Sequence, residues 1–392
     1  MKIGIIGARV AGSYAGLLLS RLGHEVVLFD DTVEREKPCG GGVTAKALRR
    51  MSWFHEHPLP HTEIARIRLM DHNGYSSDLR LPHPIYVFSR LSLDSCLRQW
   101  AMEAGAHFRP ERVIKLAADG NGWSIGTRSG LTGVDYLIGA DGANSLVRSA
   151  LVGPYPSGDL VLALGYNLPG LYDPGTLFIA FQESGFSGYL WSFPCVDHSS
   201  VGIGRWLPEA QASDLRTRLE RFIAGRYPGV GSGKRLYAAR IPSLSRKSLV
   251  RQRVCGNQWA LLGDAAGFTD SITAEGIYYA LRSAELLAEA FHRGEPSGYE
   301  RAWRLDFMPN LESAAAWRDR FYGSMVLSQT FIRRALQSVR YSPSVQVLLD
   351  DLICGSISYR ALFRNLVFRC PSILLEAFRN KARSRYKMQD SR

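Results

Sequence analysis

The sequence predicts an α/β fold, with a parallel sheet assembled from separated segments, an antiparallel sheet inserted between them and a helical region at the end. Three observations carry this. Residues 2–30 read as strand, glycine turn, helix and strand, and strand-then-turn blocks recur around 137–142 and 259–264. Residues 62–90 and 160–245 instead alternate apolar, aromatic and β-branched residues with Gly and Pro punctuation, as antiparallel strands do. Residues 299–385 return to a helical pattern.

Taken in order, KIGII opens the chain as a short apolar strand, AGSYAGLLLSRLG follows as a helix, and EVVLFD is a second strand ending on an acid. A β-α-β unit of this length needs a right-handed crossover and therefore parallel pairing. Residues 91–105 form an amphipathic helix stopped at Gly105, and short strands follow at WSIGT and VDYLIGAD. QWALLGDAAGF is again strand and turn, and EGIYYALRSAELLAEAFHRG is a helix with a glycine stop. The expected division assigns 1–61, 91–158 and 251–298 to a nucleotide-binding part, and 62–90 and 159–250 to a substrate part. Residues 299–392 form a helical, basic C-terminal region.

Composition bounds the class. With 46% apolar and 21% charged residues in 392, wholesale disorder is excluded. The net charge is +12, and residues 300–392 alone hold 16 basic against 8 acidic residues. Such a surface attracts anionic headgroups or phosphorylated substrates. The charge is diffuse and no nucleic-acid motif accompanies it, so no nucleic-acid partner is expected. No run approaches the roughly 18 apolar residues of a membrane span, and no signal-peptide pattern precedes the first strand. The expected location is the cytoplasm, with attachment to a membrane surface left open. Cysteines 39, 96, 195, 255, 354 and 370 show neither CxxC nor metal-ligand spacing, so reduced thiols and no metal are expected. The sequence leaves the oligomeric state undetermined.

The turn Gly7-Ala8-Arg9-Val10-Ala11-Gly12 fits G-x-G-x-x-G except that Arg9 replaces the middle glycine. The first glycine makes the tight turn, and the helix N-terminus offers free N–H groups to a pyrophosphate. The Arg9 side chain must point away, either into solvent or onto a phosphate. Asp30 stands 23 residues after Gly7, where a carboxylate accepts ribose hydroxyls, and Asp31 is adjacent. Residues 137–148, LIGADGANSLVR, resemble the DG motif of the p-hydroxybenzoate hydroxylase-like flavoprotein superfamily, centred on Asp141 and Gly142. Residues 259–277 resemble its GD motif, and the resemblance implies that Asp264 holds the ribityl chain of FAD. A helix N-terminus near 274–277 would then stabilise charge on the reduced flavin. Ser271 and Ala274 stand where that superfamily has Pro and Gly.

Two further segments narrow the resemblance. Lys37-Pro38-Cys39-Gly40-Gly41-Gly42 resembles the K-x-C-G-G-G loop of the geranylgeranyl reductase family. Tyr189-Leu190-Trp191-Ser192-Phe193-Pro194, with Gly202 and Gly204, resembles that family's Y-x-W-x-F-P…G-x-G signature. Strand alternation puts Tyr189, Trp191 and Phe193 on one face, a wall suited to an apolar chain or to ordinary sheet core. The resemblance implies FAD contacts at Arg90 and at Ala11, Cys39, Gly40, Gly42, Val113, Gly276 and Ile277.

The implied activity is reduction of C=C bonds in a prenyl chain or lipid by hydride from reduced FAD. Cys39 is the one candidate proton donor. NAD(P)H and ferredoxin are both open as electron donors. Competing readings are a flavin monooxygenase and, given Arg9, Ser271 and Ala274, a flavin-less lipid-binding protein. The W-x-W-x-I-P of flavin halogenases is absent.

Overall fold

A computed structural model describes residues 1–55, 58–120, 122–183, 185–230, 235–322, 336–339, 342–355, 357–362, 364–365 and 368–369. The first sheet runs β16 (Cys255–Gly256), β17 (Trp259–Leu261), β10 (Tyr136–Gly139), β1 (Lys2–Ile6), β2 (Glu25–Phe29), β6 (His107–Arg109). All neighbours are parallel except the β16–β17 edge pair. Its central strands are near-continuous apolar runs because helices cover both faces of a parallel sheet. Ile3, Ile5, Leu28, Leu137, Ile138, Ala260 and Leu261 are fully buried. Helix α1 (Val10–Arg21) packs on α3 (Arg90–Glu103) and on α7 (Ile277–His292), which joins the start of the chain to its last third.

The second sheet runs β15 (Arg235–Pro242), β11 (Leu160–Pro169), β14 (His198–Trp206), β13 (Gly188–Pro194), β12 (Thr176–Phe181), β4 (His61–Met70), β5 (Ser76–Phe88), β3 (Gly42–Val43). It departs from the antiparallel expectation at one place, where β12 pairs β4 in parallel. These strands come from the two separate stretches of the sheet, so no hairpin dictates their relative direction. Helix α5 (Ala212–Arg226) buries Leu215, Leu219 and Ile223 against this sheet. A three-stranded meander, β7 (Lys115–Asp119), β8 (Gly122–Thr127) and β9 (Gly130–Val134), sends Ile125 and Val134 into the core of the parallel sheet.

Short helices α2 (Ala45–Leu48), α4 (Leu146–Leu151) and α6 (Arg246–Arg251) punctuate the connections. Beyond α7, α8 (Gly298–Asp306) buries Tyr299 and Trp303 completely, α9 (Met308–Tyr322) follows, and α10 (Pro343–Cys354) packs against β5. Within the helical, basic region expected at 299–392, residues 323–335 and 370–392 lie outside the described residues, as do Ser356 and Phe363 of the LICGSISYRALF segment. Among the described residues no helix is long and apolar enough to cross a membrane. Cys39, Cys96, Cys195, Cys255 and Cys354 are free thiols, and Cys370 lies outside the described residues.

Candidate functional site

The first strand ends at Gly7, whose φ of +99° belongs to glycine, and a Cβ there would meet Ala140 O at 2.3 Å. A Cβ on Gly12 would come within 1.8 Å of Gly7 O, so only glycine lets α1 start this close to the turn. The N-terminus of α1 has no side-chain cap and no acid in its first turn, and the same holds for α7 behind Gly276. By contrast, Thr44, Ser89, Ser145, Ser245 and Ser342 cap α2, α3, α4, α6 and α10. Helices α5 and α8 are uncapped but carry Asp214 and Glu300 in the first turn. Uncapped termini without an acid keep their N–H donors and partial positive charge for an anionic ligand.

Asp30 is partly engaged. Its Oδ2 accepts from Ala8 N at 2.9 Å, and Oδ1 accepts from Thr32 N and Oγ1 at 2.8 and 2.7 Å. The carboxylate thus pins the glycine turn to the end of β2 and retains one of its roughly four acceptor positions. Val113 is buried in the core beyond β6, and Asp31 is exposed.

Arg9 points neither into solvent nor along the helix start. Its Nη1 sits 2.9 Å from Asp94 Oδ2, and its Nη2 donates to Thr32 O at 2.7 Å and Arg35 O at 3.2 Å. Arg90 Nη2 lies 2.8 Å from the other oxygen of Asp94. Arg90 and Asp94 are 3% and 1% exposed, so this pair is interior rather than a surface bridge. Burial alone would pull the Arg90 guanidinium down; Asp94 first, and then Cys39, hold it raised and fully charged. Two guanidiniums share one carboxylate, so these three side chains together carry one positive charge, suited to a diphosphate. Glu36 accepts from Ser89 Oγ, Arg90 N and Leu91 N, so the start of α3 is already satisfied.

At the other end, Asp264 lies in the 3-10 turn Gly263–Ala266. Its Oδ1 accepts from Thr269 Oγ1 at 3.1 Å, and Lys37 Nζ reaches its Oδ2 at 3.3 Å. The position a Cβ on Gly276 would take is 3.1 Å from Asp264 Oδ1, and that on Gly263 is 3.3 Å from Ala11 Cβ. The starts of α1 and α7 therefore flank this carboxylate, with Ile277 buried as the first residue of α7. Asp141 accepts from Ser145 Oγ, Leu146 N and Val147 N at the start of α4. That helix carries Arg148, which lies over the Tyr155 ring at 3.8 Å, and Tyr155 Oη donates to Asp264 O and Ala265 O. The DG segment so braces the turn that presents Asp264. Burial pushes the Tyr155 hydroxyl far up, which keeps it a neutral donor.

The two narrowing segments meet. The Phe193 ring lies against Gly40 and Gly42, where an added Cβ would come within 2.7 and 2.8 Å of it. Cys39 O accepts from Ser200 Oγ on β14, and Cys39 Sγ accepts from Gly41 N at 3.3 Å. Trp191 packs on Gly202 and Gly204 and meets Tyr189 edge-on, with ring centroids 6.2 Å apart. Tyr189 Oη donates to Thr273 O at 3.2 Å, tying the aromatic strand to the loop before α7. In that loop Ala274 holds φ 58°, and Ser271 Oγ donates to Leu244 O. A cleft of ≈ 420 Å³ is lined by Arg9, Lys37 and Pro38 together with Arg235 and Tyr237 of β15.

Asp94, Tyr155, Thr44 and Glu275 join this site without having been singled out from the sequence. Of these, Asp94 had a legible signal: it lies four residues after Arg90 on one helix, an i,i+4 ion-pair spacing.

Residues 1–162 match the FAD binding domain family. Over 364 residues the chain is 28% identical to geranylgeranyl diphosphate reductase of Synechocystis, covering 85% of this chain and 84% of that one. It is 29% identical over 349 residues to digeranylgeranylglycerophospholipid reductase 2 of Methanothermobacter thermautotrophicus, covering 80% and 86%. In fold it resembles a geranylgeranyl bacteriochlorophyll reductase-like protein of Thermoplasma acidophilum, with TM-score 0.76, 19% identity and coverage of 96% and 98%. The chain is an FAD-dependent flavoprotein oxidoreductase. Within that class it resembles the geranylgeranyl reductases.

Proposed function

We propose that this protein reduces C=C bonds of a geranylgeranyl-type prenyl chain attached to an anionic or lipid head. The observation that carries the reading is the convergence of three segments, in which Phe193 lies on Gly40 and Gly42 while Tyr189 binds the 264–277 loop. An apolar wall thereby borders the glycine loop and the free start of α7. The α1 start and the Arg9–Asp94–Arg90 cluster suit the diphosphate of FAD, one acceptor position of Asp30 suits its ribose, and Asp264 suits the ribityl hydroxyls. The bound cofactor supplies the hydride.

The protein's own part is to exclude water with Tyr189, Trp191 and Phe193, to orient the chain along β13, and to keep Gly40–Gly42 flat beneath it. Lys37 on Asp264 closes the ribityl position, and cofactor loading has to open that bridge. The basic C-terminal stretch adds attraction to an anionic membrane in which a prenyl lipid resides.

The test is an absorption spectrum of the purified protein before and after anaerobic dithionite reduction, then after geranylgeranyl lipid is added. Flavin bands that bleach and return on adding lipid without oxygen are the expected result. Return only with oxygen overturns it in favour of a monooxygenase, and a protein that takes up no FAD overturns the flavoenzyme reading.

A further inference from the structure

We propose that Glu275 holds the proton delivered to the substrate during reduction, and this rests on the prenyl reductase reading above. Glu275 directly precedes Gly276, the cap of α7, and its Oε1 accepts from Thr44 Oγ1 at 2.8 Å. Thr44 lies two residues beyond Gly42 of the glycine loop. Thr273, two residues before Glu275, accepts from Tyr189 on the aromatic strand. The Glu275 carboxyl thus bonds the segment that follows the glycine loop, and its backbone belongs to the loop that Tyr189 holds before α7.

The other carboxylates nearby are committed. Asp264 faces Lys37 and Thr269, and Asp94 faces two arginines. Asp270 accepts from Ile272 N, Thr273 N and Tyr359 Oη, all at 2.9 Å. The Glu275 carboxyl has a single hydrogen bond among the described residues.

Behind it lies a cavity of ≈ 10 Å³, lined by Lys46, Asp270, Glu275, Tyr279, Asn310 and Tyr359. That is space for about one water molecule with several polar partners, a route for reprotonation. The groups facing Glu275 are Thr44 and Lys46 from α2, Asp270 from its own loop, Tyr279 from α7, and Asn310 and Tyr359 from the C-terminal helices. Lys46 Nζ rests over the Tyr278 ring, 3.7 Å from its centroid. Burial pushes the Glu275 carboxyl up to about 7, opposed by the Thr44 hydrogen bond and the Lys46 charge. A carboxyl so placed gives up and regains a proton near neutrality.

The step balances. Reduction adds a hydride from the reduced cofactor to one alkene carbon and a proton to the other. The proton leaves the Glu275 carboxyl, and the resulting carboxylate recovers one from hydronium in bulk solvent, with a water in the cavity as the relay.

The test uses the full-length holoenzyme, reduced anaerobically and mixed with geranylgeranyl lipid, following flavin reoxidation against pH. In the parent the rate should fall as pH rises through about 7. Glu275→Gln should lose that limb and be slower by on the order of 100-fold, and Glu275→Asp should restore the limb. Infrared titration of the carboxyl band, with and without FAD, should show a group titrating near neutrality that Glu275→Gln lacks. Parent-like rate and pH profile in a flavin-loaded Glu275→Gln, or no such carboxyl band, overturns the inference. A parent enzyme never reoxidised by lipid, with the infrared titration intact, instead sinks the prenyl reductase reading.

Discussion

Two regions of this molecule bury a carboxylate, and they do so in opposite ways. Asp94 is 1% exposed and held between two guanidiniums that have no other ionisation state at working pH. Glu275 has one hydroxyl donor and a lysine that rests on an aromatic ring. The first arrangement fixes charge permanently beside the start of α1, where a diphosphate would lie. The second leaves a carboxyl whose charge depends on pH, beside the start of α7. A cofactor's phosphates need a constant field, whereas proton delivery needs a group that switches; the number and charge of the partners separate the two.

The largest test of this contrast is Asp94→Ala, which strands two cations, one of them fully interior. Breaking such a buried pair costs about 3–5 kcal/mol, measurable as a lower urea midpoint. An unchanged midpoint would mean that water already solvates Arg90.

Next comes Glu275. Burial raises its folded pKa from the ordinary 4.5 to about 7. Its stabilising contribution is therefore full below pH 4.5 and is lost as pH rises through about 7. Unfolding free energy should decline across that window by up to roughly 3 kcal/mol. Glu275→Gln should lack that part of the decline. Identical pH–stability curves for parent and variant would remove the distinction drawn between the two carboxylates.

A smaller effect is expected for Arg9→Gly, which restores the missing glycine but gives up one bridge to Asp94 and three bonds to the 32–35 segment. The cost should be roughly 1–2 kcal/mol, since Arg90 still neutralises Asp94. Urea denaturation reads it, and a cost as large as that of Asp94→Ala would make Arg9, not Arg90, the main partner.

The smallest is Ala274→Gly, one residue before Glu275. Relief of the left-handed backbone, set against glycine's greater unfolded freedom, should stabilise by about 0.5 kcal/mol. A thermal midpoint that drops instead would show that the Ala274 methyl contributes packing.

Much of the parallel sheet was legible because its strands are uniformly apolar and end in glycine turns. The direction of β4 against β12 was not, since it joins stretches between which a whole segment of the first sheet intervenes. At the site, Gly7 and Asp30 could be picked out from spacing, and Asp264 from the resemblance to the flavoprotein GD motif. The direction of the Arg9 side chain could not, because its partner lies on a helix 85 residues away. Glu275 was hidden for the same reason: its carboxyl is raised by burial among segments distant in the chain, against which Thr44 and Lys46 act.

By itself, then, the sequence determined where strands, turns and helix starts fall, because periodicity and glycine placement act over a few residues. It also carried the motifs that identify a flavoprotein. Only the tertiary structure decided which charges are neutralised and which helix starts stay free. Burial and pairing are set by distant segments meeting, and the energy of an ionised group depends on everything within several ångströms of it rather than on its neighbours in the chain.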